Sequence, residues 1–222
     1  MKIITPFIVL LLFSSCNQQD SLRKSNPQIA DTSTSNHLLN SFPSDSAIIK
    51  PKEKIDTVLL MNVSEEILTH FKIRNYERIA QFIHPKEGLR FSPYAHIDTT
   101  KDKILSAAQF LQQAKQNDRL NWNSSWDGEK PEFLTIDGYF KEFIYDVDFL
   151  NAKLKSINQY HSQGTDLNNI NEVYPGCNVV EFFFPGFEKK YGGLDFRALR
   201  LIYRIKNNKT YLVGIVHDQW TP

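Results

Sequence analysis

The sequence predicts an α+β domain in which a bent antiparallel sheet is wrapped, cone-like, by about three helices, after a signal peptide and a flexible tether. Three observations carry this expectation. The first 57 residues show no sustained apolar period beyond a short N-terminal run. Between about 62 and 145, apolar residues recur at helical spacing. From Cys177 onward the period becomes that of strands.

At the N-terminus, Lys2 supplies a positive charge, and Ile3 to Phe13 form an eleven-residue apolar run broken only by Thr5 and Pro6. Spanning a bilayer takes about 20 residues, so residues 1–15 read as the apolar core and small-residue end of a signal peptide. The order Phe13-Ser14-Ser15-Cys16 resembles the bacterial lipobox, with Phe where Leu is more frequent, which makes Cys16 the expected lipidation site and mature N-terminus. Ordinary secretion with a coincidental cysteine is the alternative. Residues 16–57, rich in Asn, Gln, Ser, Asp, Thr, Lys and Pro, cannot bury enough apolar surface to offset backbone entropy, and read as the tether. The expected location is the bacterial cell envelope, with the membrane as partner through the lipid.

The balance of 26 basic and 25 acidic residues, net +1, gives no general attraction to nucleic acid. Cys177 is the one other cysteine; with Cys16 lipidated, no internal disulfide forms. At the start of a strand-like run, Cys177 reads as a small buried hydrophobe.

The single domain is expected over 58–222. Asn62, with Glu65 three residues on, reads as a capping box. The stripe Ile67, Leu68, Phe71, Ile79, Phe82, Ile83 makes one helix ending before Pro85. His84 to Tyr94 follows with two prolines, which hold His84 and Ser92 out of helix, and Gly88, which permits a positive φ. Ala95 to Asp98 reads as extended. A second helix is expected from Lys103 to Gln116, burying Ile104, Ala107, Ala108 and Leu111. Asn121 to Pro131 reads as a loop or hairpin turn. Thr135 caps a third helix to about Tyr145, with helical continuation toward Ile157, then a polar loop over His161–Asn171.

Val179 to Phe184 is a strand ended by Pro185-Gly186, and Gly192-Gly193 marks a turn. Arg197–Lys206 and Lys209–Asp218 alternate as two strands about an Asn207-Asn208 turn, since Asn tolerates positive φ. Pairing Lys206 with Lys209 sets Leu199 opposite Val216, Leu201 opposite Gly214 and Tyr203 opposite Leu212 on the helix-covered face. Arg197 then faces Asp218 on that side, and His217 shares the other face with Arg200. A one-residue slip exchanges these assignments.

For chemistry, His84, Arg90 and Tyr94 in the two-proline segment, and Arg197, His217, Asp218 and Trp220 near the C-terminus, are the candidate ligand-binding residues. A histidine and an acid in a cleft serve acid–base work or grip a ligand, but neighbours on one strand point to opposite faces, so His217 and Asp218 do not pair directly. Each candidate also has a plain structural role: His84 and Arg90 to cap a helix end and hold a turn, Tyr94 to fill core, Asp218 to pair with Arg197. Glu142, Asp146 and Asp148 cluster carboxylates as a hard cation requires, but without EF-hand spacing, so no metal site is assigned. The sequence carries no His-x-x-His, no phosphate-cradling glycine loop and no Gly-x-Ser-x-Gly elbow. No cofactor is expected. A non-enzymatic module for a small molecule or an envelope protein leads. The rivals are a hydrolase- or isomerase-like enzyme with a His84 or His217 base, and a structural protein of envelope assembly.

Two segments, His84-Pro85 through Gly88-Leu89-Arg90-Phe91-Ser92-Pro93-Tyr94-Ala95 and Leu212-Val213-Gly214-Ile215-Val216-His217-Asp218-Gln219-Trp220-Thr221, resemble a family of bacterial secreted and lipid-anchored proteins with no established activity. Tyr145-Asp146-Val147-Asp148-Phe149 and Val173-Tyr174-Pro175-Gly176 fit the same resemblance. It implies an envelope location. The order of helices first and sheet last is more loosely similar to the nuclear transport factor two-like cone, a fold that hosts enzymes, binders and interaction domains alike.

Overall fold

The computed structural model describes residues 56–122, 133–161 and 168–220. The signal peptide, Cys16 and the tether up to residue 55 lie outside the described residues, as do Trp126 and the expected Asp127-Gly128 turn.

The fold begins with α1 (Thr57–Lys72), capped by the Asp56 carboxylate, which accepts from the N–H groups of Val58 and Leu59. Asn62 therefore sits inside the helix. The expected single helix breaks where Arg74 takes a left-handed φ of 55°, and Asn75 caps the separate α2 (Tyr76–Phe82) by accepting from the Arg78 N–H. Ile83 is already extended one residue before His84-Pro85, and Gly88 turns with φ +71°. A Cβ there would meet the Leu105 carbonyl at 2.9 Å.

The next two elements differ from expectation. Residues 89–92 are not a mere connection but β1 (Leu89–Ser92), a fully buried strand, and residues 103–105 form β2 (Lys103–Leu105) instead of a helical turn. The helix α3 (Ala107–Gln116) starts at a Ser106–Gln109 capping box and buries Phe110, while Ala108 is exposed. β3 (Leu120–Asn121) and β4 (Phe133–Leu134) pair as a small hairpin. Thr135 caps α4 (Ile136–Tyr139) as expected, and a π-helical turn over Phe140–Ile144 extends it. The segment to Ile157 is not helical: one 3₁₀ turn leads to β5 (Leu154–Ile157). A short α5 (Ile170–Val173) precedes β6 (Asn178–Phe184), β7 (Arg197–Lys206) and β8 (Lys209–Gln219). The class is α+β, with five α-helices among the described residues.

The main sheet has six strands in the order β2-β1-β8-β7-β6-β5. It is mixed, not antiparallel, because β1 runs parallel to β8. The β7–β8 turn forms as the paired asparagines predict, with φ 52° at Asn207 and 57° at Asn208. Pairing follows the predicted register from Lys206–Lys209 to Tyr203–Leu212. It then slips by one, so that Ile202 faces Gly214, Leu199 faces His217 and Ala198 faces Asp218. The extra residue is Val213. A bulge leaves a backbone group outside the ladder, and here the Tyr174 hydroxyl donates to the Val213 carbonyl at 3.2 Å.

That slip divides the sheet's two faces. Leu199, Leu201, Tyr203, Leu212 and Ile215 pack beneath the helices with Phe71, Phe91, Phe110, Tyr139 and Phe140. The Tyr203 hydroxyl donates to Ser64 Oγ at 2.8 Å, fixing α1 to the sheet. Val216, predicted for this face, lies on the other, in a second core with Ile97, Ile170, Tyr174, Cys177, Val179, Ile202 and Val213. Cys177 is buried there. The loop carrying Ile97 is clipped to α5 by Asn169, whose side chain accepts from the Ile97 N–H at 2.8 Å and donates to its carbonyl at 3.0 Å.

Candidate functional site

The predicted candidates fall into three places. His84 is buried against β8, where its N–H donates to the Leu212 carbonyl at 3.1 Å. Its Nδ1 accepts from the N–H groups of Lys86 (3.3 Å) and Glu87 (3.0 Å), and its ring packs edge-on against Tyr211. It holds the turn, the structural role. Arg90 lies on the sheet face that carries α5, where its Nε donates to the Tyr174 hydroxyl at 3.2 Å. Nearby Asp102 accepts from Ser92 Oγ and from the Asp98 N–H. Burial pushes its carboxyl up to about 6, against the opposing pull of the Ser92 bond and the Arg90 charge.

A second group gathers on the helix-covered face. Asp146 bridges His217 and Arg197: His217 Nε2 is 3.2 Å from Oδ1, and Arg197 Nε donates to Oδ2 at 3.0 Å. Arg197 also donates to the Trp220 carbonyl at 3.2 Å. Phe143 lies against both the His217 ring and the Tyr94 ring. Thus Tyr94, Arg197, His217 and Trp220 do come together, through Asp146 and Phe143. Burial alone would raise the Asp146 carboxyl, but the His217 bond and the charges of His217 and Arg197 outweigh it and hold it low. Asp148 is engaged elsewhere, with Lys72, Tyr145 and Asn151. Among the described residues no three His, Cys, Asp or Glu side chains are placed to hold a metal ion. The His217 imidazole is completely buried.

The third group is a correction. Asp218 does not pair with Arg197, and His217 does not share a face with Arg200, because the Val213 bulge exchanges them. Asp218 instead accepts from Arg200 Nη2 at 2.7 Å on the face that carries α5, and Arg200 Nε donates to Glu181 at 2.8 Å. Arg200 and Glu181 are both wholly buried, with the Tyr160 ring 5.2 Å from the guanidinium carbon.

Glu181 reaches onward to His161, accepting from its backbone N–H and lying 3.2 Å from its Nδ1. His161 lines a pocket of about 170 Å³ with Phe183, Pro185, Gly192, Gly193, Leu194 and Phe196. The imidazole stacks on Phe183 at 5.9 Å. Beside the pocket, Asp195 is buried, with Oδ2 accepting from the N–H groups of Phe187 and Glu188 while Oδ1 has no partner. Burial pushes the Asp195 carboxyl up, but those backbone bonds outweigh it and keep it ionised.

Sequence reasoning missed this constellation, His161, Glu181 and Asp195 included. A signal was present in β6: a carboxylate inside the apolar run Val179–Phe184, at the period-two position that places it opposite Arg200. Comparisons with protein-family models, with curated proteins and with solved structures gave no match.

Proposed function

We propose that the domain is a non-catalytic ligand-binding module displayed at the bacterial cell envelope on a tether lipidated at Cys16, with the helices closing over the sheet as a cone. The resemblance of the His84–Ala95 and Leu212–Thr221 segments to secreted and lipid-anchored proteins supports the location. The observation that carries the binding reading is the pocket around His161. It is concave and aromatic-walled, and its one imidazole is held by a wholly buried carboxylate that is itself fixed by Arg200. Apolar walls with few fixed polar groups are the ordinary make-up of a small-molecule site. Its volume of about 170 Å³ is below the roughly 300–1,000 Å³ of drug-sized sites, which favours a small ligand.

The enzyme reading keeps one favourable feature, the imidazole–carboxylate pairs His217–Asp146 and His161–Glu181, since a base oriented by an acid is the arrangement of acid–base catalysis. His217 is sealed from solvent, and among the described residues no Ser, Thr, Cys or Lys lines the pocket at His161.

Thermal unfolding of the full chain against a library of envelope metabolites, sugars, peptides and amines tests the proposal, because a ligand that binds the folded state raises the midpoint by mass action. A shift lost in His161→Ala but kept in His84→Ala is the expected result. A flat library, or shifts indifferent to His161, would overturn it. Incorporation of labelled palmitate, abolished by Cys16→Ala, tests the anchor.

A further inference from the structure

The hydrogen bonds around His161 fix which of its nitrogens carries the hydrogen in the neutral ring. Ser156 Oγ lies 3.2 Å from Nδ1, but it donates its own proton to the Gln159 carbonyl at 2.8 Å, so toward the ring it is an acceptor. The other neighbour of Nδ1 is the Glu181 carboxylate, also an acceptor. Two acceptors on one nitrogen require that Nδ1 carry the hydrogen. The neutral imidazole then has its lone pair on Nε2, on a ring that lines the pocket.

The charges behind the walls have one net sign. Glu181 and Asp218 stand against the single guanidinium of Arg200. Asp195 adds a second buried negative charge whose free Oδ1 lies 2.8 Å from where a Cβ on Gly186 would sit, in the close crossing of Gly186 with the pocket residue Gly193. Two cations act on Asp195 through space, and each already faces a carboxylate of its own: Lys190 is tied at the surface to Glu188 at 2.8 Å, and Arg197 to Asp146 at 3.0 Å. Phe183 and Phe196 present aromatic rings, which attract cations through their quadrupoles.

From a lone-pair acceptor, a net negative surround and aromatic walls, we infer that the pocket binds a small organic ammonium ion. It donates a hydrogen bond to His161 Nε2, with its apolar body against Phe183 and Phe196. This rests on the binding-module reading and names its ligand class. A carboxylate of the same size would meet a lone pair and like charge. A neutral alcohol would forfeit the cation–aromatic attraction, which for a desolvated pair corresponds to about a tenfold to thirtyfold difference in affinity.

The test is titration of the full chain with n-butylammonium, n-butanol and butyrate at fixed ionic strength, read by calorimetry and by the ¹⁵N shift of His161 Nε2. The expected result is one-to-one binding of n-butylammonium at least about tenfold tighter than n-butanol, with butyrate weakest. The Nε2 signal moves with saturation. His161→Ala and Phe196→Leu each weaken binding several-fold, while an unchanged fold is verified by circular dichroism and the unfolding midpoint; Asp195→Asn is the second variant for the charge. Equal binding of n-butanol, tighter binding of butyrate, no binding of any of the three, or indifference to His161→Ala would each overturn the ammonium assignment. Binding of n-butanol or butyrate that is lost in His161→Ala would overturn the ligand class while leaving the pocket a binding site.

Discussion

Each face of this sheet buries an apolar core, but the two differ in the charged groups buried beside it. Under the helices lies an aromatic core, in which Trp122 stacks on Tyr139 at 3.9 Å and Phe71 meets Phe140 edge-on at 5.3 Å. On the other face a charged row, Glu181, Arg200 and Asp218, is buried with the Tyr160 ring against its guanidinium, alongside an apolar core that includes Ile97, Ile170 and Tyr174. The first kind of burial stabilises through apolar area and packing. The second is weak evidence of stability, because desolvating ions costs several kcal/mol each and their attraction only offsets it. Charges kept at that cost hold a particular geometry, and here the geometry ends at the His161 imidazole. We therefore assign structure mainly to the helix face and function to the other.

The sharpest way to break this contrast is to remove one partner from each face. Phe140→Ala on the helix face loses a completely buried ring and is expected to cost about 3–5 kcal/mol. Arg200→Met leaves two buried carboxylates without their guanidinium and is expected to cost a similar ~3–5 kcal/mol. Denaturant unfolding measures both. The faces separate on the second step. Replacing Glu181, Arg200 and Asp218 together by Leu, Met and Leu is expected to restore stability to within about 1 kcal/mol of the parent or above it. It should nevertheless abolish ligand-induced shifts, since His161 loses its orienting carboxylate. If the triple variant stays as unstable as Arg200→Met, the charged row is a stability device and the contrast fails.

A smaller effect is expected at the helix-face cluster. Asp146→Asn weakens the contacts to Arg197 and His217 and should cost about 1–3 kcal/mol at neutral pH. Because the Asp146 carboxyl is held below its ordinary value, its contribution is present above the unfolded-state pKa and disappears as pH falls through the folded one. The variant should therefore approach the parent in acid.

Asp102 has the opposite sign. Its carboxyl is raised from 3.8 to about 6, chiefly by burial, so the folded state binds this proton more tightly than the unfolded state. Stability contributed at this position falls as pH rises from about 4 to about 6 and stays lower above. Asp102→Asn, which keeps an acceptor for Ser92 and for the Asp98 N–H, should flatten that window and stand at or above the parent at pH 7. Unfolding free energies at four or five pH values decide it, and a variant with the parent's slope would contradict the burial argument.

Much of the fold was legible wherever local chemistry decides. Thr135 as a cap, the Asn207-Asn208 turn, the ends of β7 and the strand from Val179 to Phe184 all follow from propensity and period. What was hidden depended on partners distant in sequence. Four buried residues, Leu89–Ser92, read as a connection because nothing local reveals that β8 will pair with them in parallel. Arg74 carries no mark of the left-handed turn that splits α1 from α2. The consequential miss was Val213. An apolar residue between Leu212 and Gly214 looks like any strand position, yet its bulge moves His217 to one face and Asp218 to the other. The expected pairings accordingly gave the C-terminal residues the wrong companions. The pocket's polar residue, His161, sat in a stretch that read only as a polar loop.

The most direct test of the account is the tautomer and exposure of His161 by ¹H–¹⁵N correlation in the full chain. The account predicts a neutral ring protonated at Nδ1, with an Nε2 lone pair that shifts when n-butylammonium is added. A ring protonated at Nε2, or an Nε2 resonance indifferent to the ammonium, would contradict it.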